Sequence, residues 1–240
     1  VVALAHDFHG LDLITRLREA AARTAVAPPV LAVVAGPGGV DPASYDLGAG
    51  AWVPGQGSSP APDLPGQASD PLSVAFTTSG STGRAKLPAH RDAAVEAHAR
   101  ADARAMGVRS GDTSVCALPL SDVFGFCTAM AALAGGACCL MIPVFDADAV
   151  VRHMSETGAT HVVGSEDMVI RIVDAARRDA PDLTAWRWLG IADFNGRARE
   201  IAEWLLARYG TTTTGVYGSS EVFALTLMWP EDEASPRRWG

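Results

Sequence analysis

The sequence predicts an α/β fold of layered sheets with flanking helices, and three observations carry that prediction. Short β-branched and apolar runs alternate along the chain with longer segments of helical periodicity. Most connections between them are short, as elements packed side by side require. The chain also opens as strand, helix, strand, and a βαβ unit places its two strands in parallel under a covering helix.

In order, 1–5 reads as a buried strand, Leu11 to Thr24 as a helix with Leu11, Ile14, Leu17, Ala20 and Ala21 apolar, and 30–35 as a second strand. These form the βαβ start, 1–35. Residues 36–71 turn to Pro, Gly, Ser and Asp with little periodicity, which suits a surface excursion or a linker between two domains. Residues 72–240 are expected to form the main core. Ser73–Thr78 is a strand, and Asp92 opens an alanine-rich helix to Met106 that Gly107 ends. Then come strand Thr113–Leu120, helix Val123–Leu133 closed by Gly135 and Gly136, and strand Ala137–Ile142 stopped by Pro143. Helix Asp146–Glu156 starts on a capping aspartate and leads to strand His161–Gly164. Helix Asp167–Arg178, strand Trp186–Ile191, helix Arg197–Tyr209, strand Thr211–Tyr217 and a last strand Val222–Met228 follow.

With 240 residues and 48% hydrophobic content, the chain has material for a packed core. A net charge of −8 sets a long-range field that repels nucleic acid and anionic membranes, so neither is an expected partner. No apolar run approaches the roughly 20 residues that span a bilayer. The four cysteines, Cys116, Cys127, Cys138 and Cys139, form no C-x-x-C pair and no zinc spacing. They read as small buried hydrophobes in a reducing compartment, which predicts a cytoplasmic protein. Val1 leads straight into a strand-like run with no basic leader, so no signal peptide is expected, and the valine start predicts a piece of a longer chain.

The chemistry concentrates in Thr77-Thr78-Ser79-Gly80-Ser81-Thr82-Gly83-Arg84-Ala85-Lys86, which holds five hydroxyls, two glycines and a lysine with no acid among them. Glycines let backbone N–H groups approach a polyphosphate, hydroxyls donate further bonds and the lysine adds a mobile charge. The spacing is not that of a Walker loop, because two residues rather than four separate Gly80 from Gly83 and Lys86 comes three later. Composition alone allows a plain surface loop. A second stretch, Tyr217-Gly218-Ser219-Ser220-Glu221, follows an apparent strand.

These stretches, with Leu118-Pro119-Leu120-Ser121-Asp122-Val123-Phe124-Gly125 between them, resemble the adenylate-forming superfamily of acyl-CoA synthetases, luciferases and adenylation domains. The resemblance covers about Phe76 to Ala224. It implies part of the large N-terminal domain of such an enzyme, with ATP, Mg and CoA as cofactors. It implies activation of a carboxylic acid to an acyl-adenylate with release of pyrophosphate, then thioester formation with CoA. Two other readings stay open: an enzyme loading a carrier protein, and a nucleotide-binding piece without turnover. By the resemblance, Thr78, Ser79, Gly80, Ser81, Thr82, Gly83 and Lys86 grip phosphates, and Ala192, Asp193, Tyr217 and Gly218 meet the base. Ser220 reaches the α-phosphate or the acyl carbonyl, Glu221 positions the metal, and Lys86, Ser220 and Glu221 act in catalysis. Asp122, Val123, Phe124, Gly125, Gly215 and Val216 border the acyl pocket.

The chain departs from the family pattern at Ala85, where proline is usual, and at Asp122, where histidine is usual. The adenine segment reads Gly190-Ile191-Ala192-Asp193-Phe194. The family's ribose-binding aspartate, hinge and C-terminal catalytic lysine are expected beyond Gly240. Asp122 is read either as a substrate-facing carboxylate or as the cap of the helix at Val123. The six histidines make no zinc or triad pattern and are expected on the surface or in loops. Trp186, Trp188 and Trp204 are expected in the core, and acidic helix residues on solvated faces.

Overall fold

A computed structural model describes residues 2–5, 12, 15–16, 19, 22–23, 31–34, 43–46, 51–53, 71–78 and 83–229. The chain divides into two compact units, residues 1–66 and 67–240. The first unit holds a four-stranded sheet of β1 (Val2–Ala5), β2 (Leu31–Val34), β3 (Ala43–Asp46) and β4 (Ala51–Val53), in that order. β1 and β2 pair in parallel, as the βαβ reading requires, and β2–β3 and β3–β4 are antiparallel. Two strands therefore stand within 36–71, where the composition pointed to an irregular excursion. Ala-Ser-Tyr and Ala-Trp-Val are short enough for their β-propensity to be hidden among glycines. The helix expected over 11–24 lies largely outside the described residues. At its start Asp12 accepts from the Thr15 N–H at 2.9 Å and the Thr15 hydroxyl at 2.7 Å.

The second unit is built on a six-stranded sheet. Its strands are β7 (Thr113–Cys116), β8 (Cys138–Met141), β9 (His161–Ser165), β10 (Trp188–Ala192), β11 (Thr212–Tyr217) and β12 (Leu227–Met228). The order across the sheet is β12-β11-β10-β9-β7-β8. All pairings are parallel except β11–β12. A two-stranded antiparallel ribbon, β5 (Leu72–Ala75) with β6 (Ala89–Arg91), completes the unit.

Helices cover both faces of the sheet: α1 (Asp92–Ala105), α2 (Val123–Gly135), α3 (Ala147–Thr157), α4 (Glu166–Asp179) and α5 (Ala198–Tyr209). Strand alternation sorts the core into two layers. Leu189 and Ile191 of β10 join Val162 with Val150 and Met154 of α3, Val169 and Ile172 of α4, and Ile201 and Leu205 of α5. Trp188, Val163 and Val216 turn the other way, toward Val95 of α1 and Val123 and Cys127 of α2. Burial on both faces explains why these strands read as continuous apolar runs. Each such side chain contributes about 1.5–3 kcal/mol.

Most helix and strand bounds agree with the sequence reading within two residues, and the exceptions have local causes. β7 stops at Cys116 because Pro119 cannot donate to a ladder, and the Asp122 N–H instead closes a turn on the Pro119 carbonyl at 3.1 Å. β6 was missed, since three residues around a histidine carry no period. The expected strand Val222–Met228 is corrected. A 3-10 turn, Ser220–Val222, comes first, then Phe223, Ala224 and Leu225 at φ +65°, +51° and +41°, and only Leu227–Met228 is extended.

Other expectations are corrected too. His161 is buried, with Nε2 3.0 Å from the Met106 carbonyl, and His98 is half-buried 3.1 Å from Asp102, so neither is a surface or loop residue. Cys138 is exposed rather than buried, because it lies on the edge strand β8. Glu166, expected on a solvated face, is completely buried. Trp186 and Trp188 are in the core as expected.

Candidate active site

Because β7, β9, β10 and β11 are parallel, their carboxyl ends share one edge of the sheet. In open α/β sheets ligands bind in the crevice outside that edge. Here β7 delivers Leu118–Asp122, β9 delivers Glu166, β10 delivers Asp193–Arg197 and β11 delivers Gly218–Leu225. Two of the stretches singled out in the sequence therefore meet the adenine segment on one edge.

The third arrives from the β5–β6 ribbon. Its ladder continues past the strands, with the Phe76 N–H on the Pro88 carbonyl and the Thr78 N–H on the Lys86 carbonyl, both at 3.1 Å. The Thr78 hydroxyl accepts from the Lys86 N–H at 3.0 Å. Thr78 and Lys86 thus close the neck of the glycine-rich loop. Ser79, Gly80, Ser81 and Thr82 lie outside the described residues. Gly83 is exposed at φ +131°, a region that only glycine enters without strain, and an added Cβ would meet nothing within 4 Å.

Two contacts carry the ribbon to the sheet edge. Lys86 Nζ lies 4.0 Å from Oε1 of Glu221, with 62% and 50% of the side chains exposed. His90 Nε2 lies 2.8 Å from the Ser220 carbonyl. A carbonyl only accepts, so Nε2 carries the proton. His90 was not picked out in the sequence, because its partner is 130 residues away. Glu221's own N–H, then the Ser219 hydroxyl and the Lys86 charge, hold its carboxyl below the usual range, so it is ionised at neutral pH.

The turn after β11 is fixed from beneath. The Phe223 ring lies 4.9 Å from His90, 5.2 Å from His98, 6.1 Å from Phe126 and 6.2 Å from Phe76. Left-handed backbone at a non-glycine residue costs on the order of 1–2 kcal/mol, which this buried ring packing offsets. Gly218 is required here. A Cβ on it would stand 2.2 Å from the Leu225 nitrogen and 2.5 Å from Ala224 backbone atoms. The close approach that Gly218 permits is therefore to the chain itself. Tyr217, the last residue of β11, keeps its ring 65% exposed at the edge.

On the neighbouring strand Ala192 and Asp193 are half-buried. The Asp193 carboxylate accepts from the Gly196 N–H at 2.8 Å, and Phe194 is 77% exposed. Asp122 caps α2, accepting from the Phe124 N–H at 2.8 Å, which is the cap reading of this residue. Val123 is buried and Phe124 packs beside it. Gly125 is required by packing, since a Cβ would fall 2.3 Å from the Pro119 carbonyl. Gly215 and Val216 are buried within β11. Among the described residues no group of three or more His, Cys, Asp or Glu side chains could hold a metal ion. Glu221, ionised and half exposed, offers the kind of oxygen donor that a hard cation accepts.

Comparison with solved structures returns acyl-activating enzymes. The N-terminal domain of FACL13 from Mycobacterium tuberculosis, solved with an inhibitor, matches at a TM-score of 0.65 and 18% identity, over 92% of this chain and 51% of that one. O-succinylbenzoate coenzyme A synthetase from Bacillus subtilis, solved with ATP and magnesium ion, matches at 0.58 and 18%, over 67% and 33%. 2-Hydroxyisobutyryl-CoA ligase, solved with 2-HIB-AMP and CoA, matches at 0.56 and 18%, over 67% and 39%. The chain thus spans from a third to about half of the length of these structures, and at such identities the likeness is one of fold: that of the N-terminal domain of adenylate-forming enzymes. No curated protein matches the chain. The family model described as AMP-binding enzyme matches residues 6–240, and this chain therefore belongs to the AMP-binding enzyme family.

Proposed function

We propose that this chain forms the nucleotide- and acyl-binding part of a ligase that activates a carboxylic acid with ATP. In the proposed reaction a carboxylate oxygen attacks the α-phosphorus, the bond to the β-phosphate breaks, and pyrophosphate leaves with that electron pair. No proton has to move. A site for this step needs positive charge and fixed dipoles rather than a general base. The observation that carries the reading is the meeting of Lys86 with Glu221 above the carboxyl edge of the sheet.

Lys86 puts its charge beside the β- and γ-phosphates, and Thr78 closes the loop neck while its own hydroxyl hydrogen remains a donor. Glu221 would hold a magnesium ion, which would supply charge to offset that of the phosphates. Tyr217 lays its ring against the base, and Ala192 and Asp193, at the end of the neighbouring strand, meet the base beside it. Ser220, with its carbonyl tied to His90, presents its hydroxyl to the α-phosphate or the acyl carbonyl. Phe124 and Gly125 border the acyl group. In the whole protein the acyl group passes to the CoA thiol, displacing AMP.

Acid-dependent exchange of labelled pyrophosphate into ATP by the whole protein tests this. Exchange should require both magnesium and a carboxylic acid, and Glu221→Gln should reduce it by about 10²-fold, the scale for losing one preorganised charge partner. Undiminished exchange in Glu221→Gln sinks the assignment.

A further inference from the structure

Glu166 belongs to none of the stretches singled out above, yet it is the most heavily engaged carboxylate near the edge. It follows β9 directly, and β9 lies beside β10 with Ser165 opposite Ala192. Its side chain is completely buried. One oxygen accepts from the N–H groups of Phe194 at 3.1 Å and Asn195 at 2.6 Å, and the other from the Arg197 N–H at 2.9 Å. Burial pushes the carboxyl up, but the N–H groups of Asn195, Arg197 and Phe194 outweigh it and leave the group below its usual range. A buried charge is a poor way to gain stability, since an apolar side chain of similar volume serves as well or better. What it does here is order a loop.

In a trans peptide the N–H and the preceding C=O point in opposite directions, and the described residues contain no cis peptide. With the Phe194 and Asn195 N–H groups drawn in toward Glu166, the carbonyls of Asp193 and Phe194 are turned away from it. The Asp193 carboxylate and Gly196, at φ +81°, close the same loop into a fixed turn. The edge beside Tyr217 thus presents backbone acceptors whose direction is set from below.

We infer that Glu166 is a positioning residue that sorts the backbone of 193–197 into donors facing inward and carbonyl acceptors facing the nucleotide. The loop then selects a base with an exocyclic amino group over one with an oxo group at that position. The inference rests on the proposed ATP site, because it assigns this loop to the base.

The test measures binding of ATP, of ITP, whose base carries an oxo group in place of the amine, and of inorganic pyrophosphate to the wild-type protein and to Glu166→Gln. The amide has the size of the carboxylate but only one full acceptor. Wild type should prefer ATP over ITP. In the variant ATP should bind about tenfold more weakly, with ITP and pyrophosphate changed less than twofold. Equal weakening of all three ligands, no weakening of ATP, or no wild-type preference for ATP overturns the inference.

A second measurement needs no variant. The amides of Phe194, Asn195 and Arg197 should exchange slowly with solvent before any nucleotide is added, and rapid exchange that slows only with nucleotide overturns the clamp. Wild-type protein that binds neither ATP nor pyrophosphate, but whose three amides are protected, removes the nucleotide reading and the base selection with it while leaving the clamp standing. The two failures are therefore distinguishable.

Discussion

The two sides of the site are held in opposite ways. On the ribbon side the chemistry is exposed: Thr77, Arg84 and Lys86 lie in solvent, and the described part of the loop is closed by the Thr78–Lys86 pairing and one long ion pair. On the sheet side the backbone is fixed by buried groups, with Gly218 against Leu225, Phe223 in its ring cluster and Glu166 under 193–197. Charges kept in water stay ionised at little cost. A surface that recognises a base by backbone groups needs those groups fixed in advance. Changes on the sheet side should therefore appear first in stability, and changes on the ribbon side in activity alone.

Gly218→Ala should give the largest effect and tests the sheet side directly. The added Cβ meets backbone, which no rotamer can relieve. We expect a loss of about 3 kcal/mol, the upper range for overpacking. For a unit of this size that lowers Tm by about 6–12 °C. A Tm within 2 °C of wild type would mean that the 224–225 segment yields freely and that the contrast between the two sides is wrong.

That contrast was only partly legible in the sequence. The α/β fold could be read because helix and strand periods differ and both faces of the parallel sheet are buried, so the strands stand out as apolar runs. Lys86 and Glu221 could each be assigned to one site because the motifs that hold them carry the family resemblance, although their contact was not foreseen. Glu166 could not be found that way. It stands at the start of an amphipathic helix among other acids, and its partners are backbone N–H groups about 30 residues on, which no side-chain pattern announces. His90 is hidden for the same reason. Gly218 was legible as a glycine that must be glycine, but its reason, the returning backbone of Ala224 and Leu225, depends on left-handed residues that propensity does not predict.

On the ribbon side, Lys86→Ala should lower acid-dependent pyrophosphate exchange by about 10²-fold. Its partner Glu221 is 4.0 Å away and half exposed. Exposed pairs are worth about 0–1 kcal/mol, so Tm should stay within about 2 °C of wild type. A large fall in Tm would mean that the lysine holds the fold together, and unchanged exchange would remove the ribbon from the mechanism.

The opposite edge of the sheet gives a control that should move stability with no effect on ligand binding. Asp112, just before β7, is buried and paired with the guanidinium of Arg187, just before β10, and accepts from the Arg109 N–H at 2.8 Å. Burial pushes its carboxyl up, but the Arg187 hydrogen bonds and the Arg109 N–H prevail and hold it below its ordinary value of 3.8. Because the folded pKa is depressed, the stabilisation is complete above about pH 4 and is lost as pH falls through the folded value. Asp112→Asn should therefore cost about 2 kcal/mol at pH 7, somewhat less than breaking a buried pair outright. The gap to wild type should close below pH 3.8. Comparing the two proteins at each pH cancels His98, raised by its Asp102 hydrogen bond; His161, lowered first by burial, is raised in part by Asp112 and so does not cancel. A gap that is constant from pH 7 to pH 3 would mean that Asp112 and Arg187 do not interact as ions.

The smallest effect is expected at Asp122, where the two sides of the site are hardest to tell apart by sequence. Its carboxylate stands where similar enzymes carry a histidine beside the acyl group, which could favour acids with a hydroxyl or an amine. In the structure the carboxylate accepts from the Phe124 N–H at 2.8 Å and starts α2. Asparagine caps a helix about as well as aspartate, and alanine costs about 1 kcal/mol. Asp122→Asn should therefore leave Tm unchanged, and Asp122→Ala should lower it by about 2–4 °C. Neither should alter the ratio of kcat/KM between a hydroxylated acid and its unsubstituted analogue by more than about twofold. If the carboxylate instead borders the acyl group, removing its charge should change that ratio by about tenfold, the effect of ~1.4 kcal/mol on a rate. A tenfold change in Asp122→Asn at constant Tm would move Asp122 from the frame of the site to its lining.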